Sequence, residues 1–531
     1  MSAARSRSRA RSRRQIVFGA LGIASLAAGV LVVLVLVAGS SLPGGVALPG
    51  SQPPPILPPP GATDADLTVG KDAPLATIPR SFLGLSTEYW TLPVDELHVA
   101  LYKRMLAAIH VLGDGPLILR IGGDSSDQTF FDPRVRLPKW AFELTPAFVD
   151  RTASIIRQMG THVILDMNLV TGTPLLAAAW ARYAETQMPR GSIIGFEIGN
   201  EPDLYDRAFW LFAAGSEKFT GRTLPPDVTP DSYTRAFLAF AQVLTQAAPG
   251  VPLLAPALAN PGVDRQFIQS LLAVPHRGLG VISGHRYPYS ACALPGSPVY
   301  PTIDGLLSEQ ATVGMAQSVR PAVLLARRAG YPFRLTEFNS ITCGGLTGIS
   351  NTFATSLWAP DAAFELFKAG ATGINLHARV FSINDPFTFD VLGLHERPLL
   401  YGLILFARTL GPDARLVSAH LRTGSELHLK AWVVKVGSGT LHVLLINKGA
   451  NSANVLMGLP TTGGAAVQRL VAPSPYSHGP AVTFGGQRLG PDGTWQGRPV
   501  RERVLPRARR YLVTVPGYSA ALLTLRLKKA H

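Results

Sequence analysis

Short apolar runs alternate with amphipathic stretches along most of the chain after residue 80. The apolar runs have the length and composition of buried strands, and the stretches between them repeat apolar residues with a helical period. The predicted strands are Phe82–Ser86, Leu117–Gly122, His162–Asn168, Gly195–Asn200, Leu253–Leu258, Val281–Tyr287, Phe333–Asn339 and Gly373–Ala378. The predicted helices between them include Val94–Val111, Pro146–Met159, Asp231–Ala247 and Gly314–Ala329.

Eight strand–helix alternations predict an α/β fold in which eight parallel strands close into a (β/α)8, or TIM, barrel. They occupy about 330 residues, which suits a fold that needs about 250 residues plus insertions. A doubly wound open sheet is the alternative, but no glycine-rich dinucleotide-binding turn follows the first predicted strand.

The pattern changes after a predicted helix at Leu399–Leu410, where β-type segments are separated by glycine-rich turns. This change favours a C-terminal antiparallel β-sandwich domain. Its predicted segments are Ala414–Leu421, Leu427–Val436, Leu441–Asn447, Ala453–Met457, Tyr511–Val515 and Ala520–Leu527. We therefore place the barrel at residues 64–398 and the β-sandwich domain at 399–531, and residues 64–80 can add a strand to the latter.

The N-terminus differs in composition from the rest of the chain. Six arginines within residues 1–14 precede Ile16–Val37, a stretch of 22 residues without a charge, which is long enough to cross a bilayer core of about 30 Å. Arginines on that side favour a cytoplasmic N-terminus. We predict a basic tail at 1–15, a transmembrane signal anchor at 16–38 and a Pro/Gly-rich linker at 39–63. The alternative is a signal peptide cleaved near Ala38-Gly39-Ser40, which would give a secreted protein.

The net charge of +15 is concentrated at the two ends of the chain. Residues 1–14 carry +6 and residues 498–531 carry +8, so the segment between them is close to neutral. No zinc-finger spacing or RNA-binding signature accompanies these clusters, and a nucleic-acid partner is not expected. The two cysteines form no metal-ligand cluster, and neither a metal nor a cofactor is expected.

Polar residues concentrate at the C-terminal ends of the predicted strands, where the catalytic groups of such barrels lie. In strand order they are Glu88; Arg120 and Asp124; Asp166 and Asn168; Asn200 and Glu201; His285 and Tyr287; Glu337 and Asn339; and His377. Buried carboxylates that face one barrel mouth are costly unless they are paired or used.

Two of these carboxylates are placed to flank a glycosidic bond. Glu201 ends the fourth strand within Gly-Phe-Glu-Ile-Gly-Asn-Glu-Pro, and Glu337 ends the seventh within Phe-Arg-Leu-Thr-Glu-Phe-Asn-Ser. The tripeptide Asn-Glu-Pro is weak by itself. Asn-Glu after a fourth strand together with a Glu after a seventh is the arrangement of the large clan of retaining (β/α)8 glycosidases.

Finer motifs resemble glycoside hydrolase family 79, the heparanase and β-glucuronidase group. They are Phe82-Leu-Gly-Leu-Ser-Thr-Glu-Tyr89, Leu119-Arg-Ile-Gly-Gly123, Thr336-Glu-Phe-Asn-Ser340 with Gly344-Gly345 and Ser350-Asn-Thr-Phe-Ala354, and Ile374-Asn-Leu-His377. The resemblance covers about residues 66–531 and implies a carbohydrate substrate. It also implies that Glu201 is the general acid/base and Glu337 the nucleophile.

Several neighbours are expected to support this pair. Tyr287 is placed to hydrogen-bond Glu337, and Arg120 to supply a positive charge that keeps Glu337 ionised. Asn200 is placed to meet the sugar 2-hydroxyl. Glu88, Asp124 and His377 are candidate sugar contacts, with structural roles as the alternative.

Other polar and aromatic residues near the strand ends have structural alternatives. Glu197 is expected to be structural, and His285 either lines the mouth or is a structural histidine. Trp90 is a candidate for stacking on a sugar, whereas Trp180 and Trp358 are expected in the core.

The resemblance is weaker at the residues that determine which sugar is bound. Family members that act on uronic acids hold the carboxylate with tyrosines, a lysine and a backbone amide. Here Thr342 stands where a tyrosine is expected, and no lysine follows the eighth strand. Arg379 can replace the lysine and Gly344 can supply the amide, so a glucuronide is one hypothesis beside neutral hexosides and pentosides.

Cys292 follows the sixth predicted strand and Cys343 the seventh. Neighbouring strands bring these loops together, and outside the cytoplasm a lone cysteine pair favours a disulfide. We therefore predict a Cys292–Cys343 bond that braces the loop after Glu337.

Three functions follow from these observations. The first is an exo-acting glycosidase of the β-glucuronidase type. The second is an endo-acting glycosaminoglycan hydrolase like heparanase, although no long basic insert follows the first strands. The third is a catalytically silent polysaccharide-binding protein at the cell surface. The presence of both glutamates argues against it, because such a protein needs neither.

Overall fold

The computed structural model describes residues 63–70, 75–132, 136–205, 228–461 and 463–527. The predicted tail and anchor, and the linker up to residue 62, lie outside the described residues. Among the residues that are described, no helix combines the length and apolar character needed to span a membrane.

Eight parallel strands form a closed barrel, which confirms the predicted (β/α)8 barrel. In chain order they are Leu83–Thr87, Ile118–Ile121, His162–Met167, Ile193–Ile198, Leu253–Leu258, Leu279–Arg286, Phe333–Phe338 and Gly373–His377. Each strand pairs with the next along the chain, and the eighth pairs with the first. The carboxyl ends of all eight therefore meet at one mouth.

The strands alternate between an apolar outer face and a largely polar interior. In the second strand Leu119 and Ile121 belong to the main hydrophobic core, whereas Ile118 joins Ile164 and Leu254 in a small separate cluster. Arg120, on the same face as Ile118, is fully buried in the barrel. The interior thus holds a few apolar residues at one level and charged residues nearer the mouth.

The helices of this part of the chain follow the barrel strands. They are Leu92–Leu97, Val99–Ile109, Pro146–Met159, Pro174–Gln187, Pro230–Ala247, Gln266–Leu272, Ile303–Leu307, Val313–Arg328, Ala354–Ala369 and Pro398–Thr409. The single helix expected over Val94–Val111 is divided at His98, whose backbone leaves the helical region.

Two further sheets lie beside the barrel. The smaller contains, in spatial order, His420–Thr423, Ala65–Thr68, Ala453–Gly458 and Arg510–Val515. The larger contains Leu75–Thr77, Arg415–Val417, Leu429–Val436, Thr440–Asn447, Ser519–Arg526, Ala465–Val471 and Thr483–Phe484, with Glu502–Val504 beside Ala465–Val471. The sheets are not purely antiparallel as expected, because Ala65–Thr68 pairs in parallel with Ala453–Gly458.

The larger sheet is buried on both faces. Val433, Val443 and Leu523 pack in a core shared with the smaller sheet, whereas Trp432 and Leu444 pack in the core that surrounds the barrel. Because one sheet serves two cores, its strands are nearly continuous apolar runs rather than strictly alternating ones.

Short ribbons extend the loops. They are Thr129–Phe131 with Phe142–Leu144, Tyr289–Ser290 with Ile341–Thr342, Phe387–Asp390 with Gly393–Glu396, and Arg488–Leu489 with Trp495–Gln496. The first three follow barrel strands and shape the rim of the mouth.

Candidate active site

Glu201 and Glu337 face each other across the barrel mouth. One carboxylate oxygen of Glu201, one of Glu337 and one ring nitrogen of His285 all lie within 4.8 Å of one another. The side chains are 15% and 8% exposed, respectively. A separation of this size is close to the value of about 5–5.5 Å typical of a carboxylate pair in retaining glycosidases, and it leaves no room for an intervening water.

Glu337 is held at both oxygens. The hydroxyl of Tyr287 donates to Oε1 at 2.6 Å, and Nη1 of Arg120 donates to Oε2 at 2.9 Å. Burial alone would raise the pKa of this carboxyl. The positive charges that His377 and His285 carry at the acidic pH where Glu337 titrates, the charge of Arg120 and the hydrogen bond from Tyr287 outweigh burial and lower the pKa to about 2. Glu337 is therefore ionised throughout the usual pH range.

His377 completes this arrangement through Tyr287. The tyrosine hydroxyl has one hydrogen, which it donates to Glu337, so we assign the hydrogen between Tyr287 and His377 to Nδ1 of the histidine, at 2.8 Å. Burial lowers the pKa of His377, and the ring is neutral near pH 7. The chain from His377 through Tyr287 fixes the direction of the Glu337 carboxylate.

Glu201 has the opposite protonation preference. Burial, followed by the nearby charges of Glu337 and Asp203, raises its pKa well above the usual range. Nδ1 of His285 lies 3.0 Å from Oε1 of Glu201, and because burial also lowers the pKa of His285, we assign this contact as N–H donating to the carbonyl oxygen. The other oxygen of Glu201 then carries the hydrogen and is available to a substrate in the barrel mouth.

The backbone of Glu201 is also distinctive. Its φ of 54° and ψ of 54° lie in the left-handed region, which a glutamate adopts at a cost. Its N–H donates to the carbonyl of Ala257 at 3.0 Å, which ties the end of the fourth strand to the fifth.

Arg120 is the centre of the polar interior. Its guanidinium donates to Glu197 at 2.8 Å, Asp166 at 2.8 Å, Asn200 at 2.9 Å and Glu337 at 2.9 Å. Glu197, expected to be structural, also accepts from the hydroxyl of Thr336 at 2.7 Å. One buried cation thus orients Glu337 and the residue before Glu201 at the same time.

Asn200 is held by contacts that the sequence did not reveal. Its side-chain amide donates to Asp124 at 3.2 Å, and its backbone N–H donates to the hydroxyl of Tyr205 at 2.9 Å. Tyr205 donates in turn to the buried carboxylate of Asp127 at 2.7 Å. The acid Asp127, which lies six residues after the second strand, is the sequence feature that could have indicated this series of hydrogen bonds.

The remaining predicted contacts lie on one side of the mouth. Glu88 is buried and accepts from the N–H of Ser125 at 3.1 Å, and its Oε1 lies 3.6 Å from Nη1 of Arg379 and 3.8 Å from Nε2 of His377. Gly344 lies beside Arg379, since a Cβ on Gly344 would be 3.5 Å from Nη2 of that arginine. The structure thus brings together all the predicted site residues at this mouth.

Two of the three tryptophans lie in the core, as expected, and the third lies at the rim. Trp180 and Trp358 are buried in the core, and Trp358 donates to the carbonyl of Ala311 at 3.0 Å. Trp90 is 36% exposed at the rim.

A divalent cation is a second interpretation of the group formed by Glu201, His285 and Glu337, each of which offers one ligand atom. The donor set disfavours it. Both oxygens of Glu337 already accept strong hydrogen bonds, and one of these comes from the Arg120 guanidinium, whose charge would repel a cation.

The predicted disulfide between Cys292 and Cys343 is present, with Cα atoms 6.0 Å apart. The two cysteines follow the ribbon of Tyr289–Ser290 and Ile341–Thr342, which extends the sixth and seventh strands. The bond therefore joins the loop after Tyr287 to the loop after Glu337.

We expect the double variant Cys292→Ser/Cys343→Ser to lose stability, because the bond closes a loop of 51 residues. The chain-entropy description gives a loss of about 3–4 kcal/mol for a loop of this order. Thermal unfolding with and without reductant measures it. Reductant should lower the melting temperature of the wild type and leave the double variant unchanged; equal melting temperatures for the two proteins without reductant would contradict the prediction.

The fold and the site together are those of (β/α)8-barrel glycosidases. No protein-family model matches the chain. Its sequence is similar to that of the β-glucuronidase of Aspergillus niger, with 25% identity over 421 residues, covering 67% of this chain and 72% of that protein.

Solved structures share the fold. A 4-O-α-L-rhamnosyl-β-D-glucuronidase of Fusarium oxysporum 12S has a TM-score of 0.69 at 16% identity, over 87% of this chain and 100% of that one. The family 51 arabinofuranosidase of Xanthomonas axonopodis pv. citri has a TM-score of 0.63 at 14% identity, with the same two coverages.

Proposed function

We propose that this protein is a retaining β-glycosidase of the family 79 type, with Glu201 as general acid/base and Glu337 as nucleophile. The observation that carries the proposal is the pair itself. Two carboxyl groups within 4.8 Å of each other are pushed toward opposite protonation states by their surroundings. This division is what a double displacement requires.

In the first step Glu337 attacks the anomeric carbon while Glu201 gives its proton to the departing glycosidic oxygen. The bond between carbon and the leaving oxygen breaks as a glycosyl ester to Glu337 forms. Tyr287 and Arg120 hold the attacking carboxylate ionised and oriented. Asn200 is placed for the sugar 2-hydroxyl, where contacts strengthen in the transition state.

In the second step Glu201, now ionised, takes a proton from a water that attacks the same carbon. The ester to Glu337 breaks, and the sugar is released with its original anomeric configuration. His285 keeps one oxygen of Glu201 engaged, so that the other serves both steps.

We propose a β-D-glucuronide as the substrate class. The similarity to the Aspergillus niger β-glucuronidase supports this choice. So does the position of Arg379 beside Gly344, where a guanidinium and a loop backbone can meet a sugar carboxylate.

Two other functions fit the site less well. An endo-acting glycosaminoglycan hydrolase would need basic groups for acidic sugars on both sides of the cleaved bond, whereas Glu88 and Asp124 line the mouth beside Arg379. A silent polysaccharide-binding protein would not require a carboxylate pair with opposed pKa shifts.

We further propose that residues 16–38 hold the enzyme at the outer face of a membrane. The support is the uncharged stretch of 22 residues that follows six arginines. Fractionation of cells that express the full chain tests this, and activity found only in the medium would indicate the cleaved, secreted form.

The pH profile of kcat/KM should show an alkaline limb that belongs to Glu201. Activity needs this residue protonated, so it is lost as the pH rises through the raised pKa of Glu201. Glu337 must be ionised and its pKa is about 2, so it adds no limb at moderately acidic pH. The measurement is the rate on an aryl glycoside across pH.

In Glu201→Gln the alkaline limb should disappear when the leaving group is a phenol that needs no proton. Glu185→Gln, a change at an exposed glutamate on a barrel helix, is the matched control and should keep it. An alkaline limb that persists in Glu201→Gln would assign it to another group.

The function itself is tested with a panel of 4-nitrophenyl β-glycosides that includes the glucuronide, glucoside, galactoside and xyloside. We expect the folded protein to hydrolyse the glucuronide fastest. Faster hydrolysis of a neutral glycoside would overturn the substrate, and no hydrolysis of any member together with sugar binding would favour the silent binding protein.

A further inference from the structure

The disulfide ends next to the part of the mouth where a guanidinium and a loop backbone can meet a sugar carboxylate. Cys343 directly precedes Gly344 in the chain. A Cβ on Gly344 would lie 3.5 Å from Nη2 of Arg379. Cys292 and Cys343 are both exposed, so their bond is accessible to small molecules while it lies one residue from the carboxylate-binding backbone.

The backbone at this end of the disulfide is strained. Cys343, Gly344 and Gly345 have φ values of 58°, 77° and 90°, so three successive residues have positive φ. The two glycines adopt such angles freely, but Cys343 carries a Cβ and adopts them at a cost. A conformation of this kind persists only where the surrounding structure enforces it.

Contacts on two sides enforce this conformation. On the side of the eighth strand, the carbonyl of Gly344 accepts from the N–H of Ile383 at 2.7 Å. On the side of the sixth strand, the ribbon of Tyr289–Ser290 with Ile341–Thr342 ends directly before Cys343. The disulfide carries the connection to the sixth-strand side one residue further, to the residue with the strained φ.

Arg379 belongs to the same set of contacts. Its Nε donates to Oγ of Ser382 at 3.0 Å, and Ser382 directly precedes Ile383, whose N–H binds Gly344. A sugar carboxylate that binds both the Arg379 guanidinium and the Gly344 N–H requires a fixed distance between them. A movement of residues 343–345 would change that distance.

We propose that the Cys292–Cys343 bond determines how tightly the enzyme binds the carboxylate of its sugar, because it fixes the Gly344 N–H relative to Arg379. This proposal rests on the proposed function, in which the substrate is a β-D-glucuronide. The two cysteines are positioning residues that act through Gly344. The sugar carboxylate takes no part in bond cleavage, so weaker contacts to it raise KM and leave kcat unchanged.

The test measures KM and kcat for 4-nitrophenyl β-D-glucuronide before and after treatment with dithiothreitol, which reduces the bond to two thiols and is itself oxidised to a cyclic disulfide. We expect KM to rise about tenfold, the effect of losing one hydrogen bond to a charged group, while kcat stays within about twofold. Reoxidation should restore the original KM. The methyl ester of the same compound lacks the carboxylate charge, and its KM, or its inhibition constant, should not change.

The double variant Cys292→Ser/Cys343→Ser is the second test. It should show the raised KM without reductant, and dithiothreitol should not alter it further. Both tests are run below the melting temperature of the reduced protein. Unfolding of part of a sample lowers the apparent kcat and leaves KM unchanged, so the rise in KM separates positioning from stability.

An unchanged KM for the glucuronide in both the reduced enzyme and the double variant would overturn the proposal, as would an equal rise for the methyl ester or a loss confined to kcat. If the glucuronide is not hydrolysed, the proposed glucuronidase activity fails. Calorimetry of glucuronic acid with Glu337→Gln, with and without the two serine changes, then decides the role of the bond. Weaker binding to the protein without the disulfide supports the proposal, and equal binding, or no binding to either protein, refutes it.

Discussion

Replacing Glu337 by Gln is expected to abolish turnover, with a loss in kcat of about 10⁴-fold or more. The amide keeps the shape of the side chain but cannot form the glycosyl ester. Tyr287 and Arg120 donate to different oxygens of this carboxylate, at 2.6 Å and 2.9 Å. In the variant the amide oxygen can accept from Arg120, and the Tyr287 hydroxyl can turn to accept from the amide N–H. The protein should therefore remain folded. Rates on the aryl glucuronide and a thermal melt measure the two effects.

The control for this change is Glu185→Gln, which should retain full activity because Glu185 is exposed on a barrel helix. Added azide distinguishes the two carboxylates. In Glu337→Gly it should give the α-glycosyl azide by direct attack, and in Glu201→Gly the β-glycosyl azide by way of the ester. The reverse pairing would exchange the two roles.

Replacing Arg120 by Met is expected to cost about 3–5 kcal/mol of folding free energy, the usual result of leaving buried charges without their partner. The Arg120 side chain is fully buried and pairs with Asp166, Glu197 and Glu337. The variant should also raise the Glu337 pKa. Because Glu337 must be ionised, an acid limb in kcat/KM should then appear at higher pH than in the wild type.

Arg151→Met is the matched control for stability, because the Arg151–Glu96 pair is largely exposed and should contribute at most about 1 kcal/mol. Arg120→Lys retains one positive charge. Its melting temperature, and the pH at which its acid limb appears, should both lie between those of the wild type and of Arg120→Met. A stable Arg120→Met protein with an unchanged pH profile would show that Arg120 does not govern the nucleophile.

The barrel was predictable because the apolar residues of its outer face form runs of strand length in the sequence. The bounds of the helix Ala354–Ala369 were not predicted, for the opposite reason. All its residues from Ala354 to Leu366 are buried, so no polar face marks a helical period. Ala465–Val471 was missed too, although it pairs on both sides within the larger sheet.

Within the site, the sequence indicated which residues end the strands but not how they connect. The contact of Arg120 with Glu197, which are 77 residues apart, depends on barrel closure. The same holds for Tyr205, whose hydroxyl links Asn200 to Asp127. Side chains this far apart along the chain leave no local pattern, and only the fold brings them together.

The central claim, that Glu337 is the nucleophile of a retaining reaction, is tested most directly by trapping the intermediate. An activated 2-deoxy-2-fluoro-β-D-glucuronide, which forms the ester readily and releases it slowly, is incubated with the enzyme, and the labelled peptide is mapped by mass spectrometry. The expected result is one added sugar on the peptide at Glu337 and none in Glu337→Gln. A label on Glu201, or turnover of the normal substrate to the α-anomer as first product, would contradict the claim.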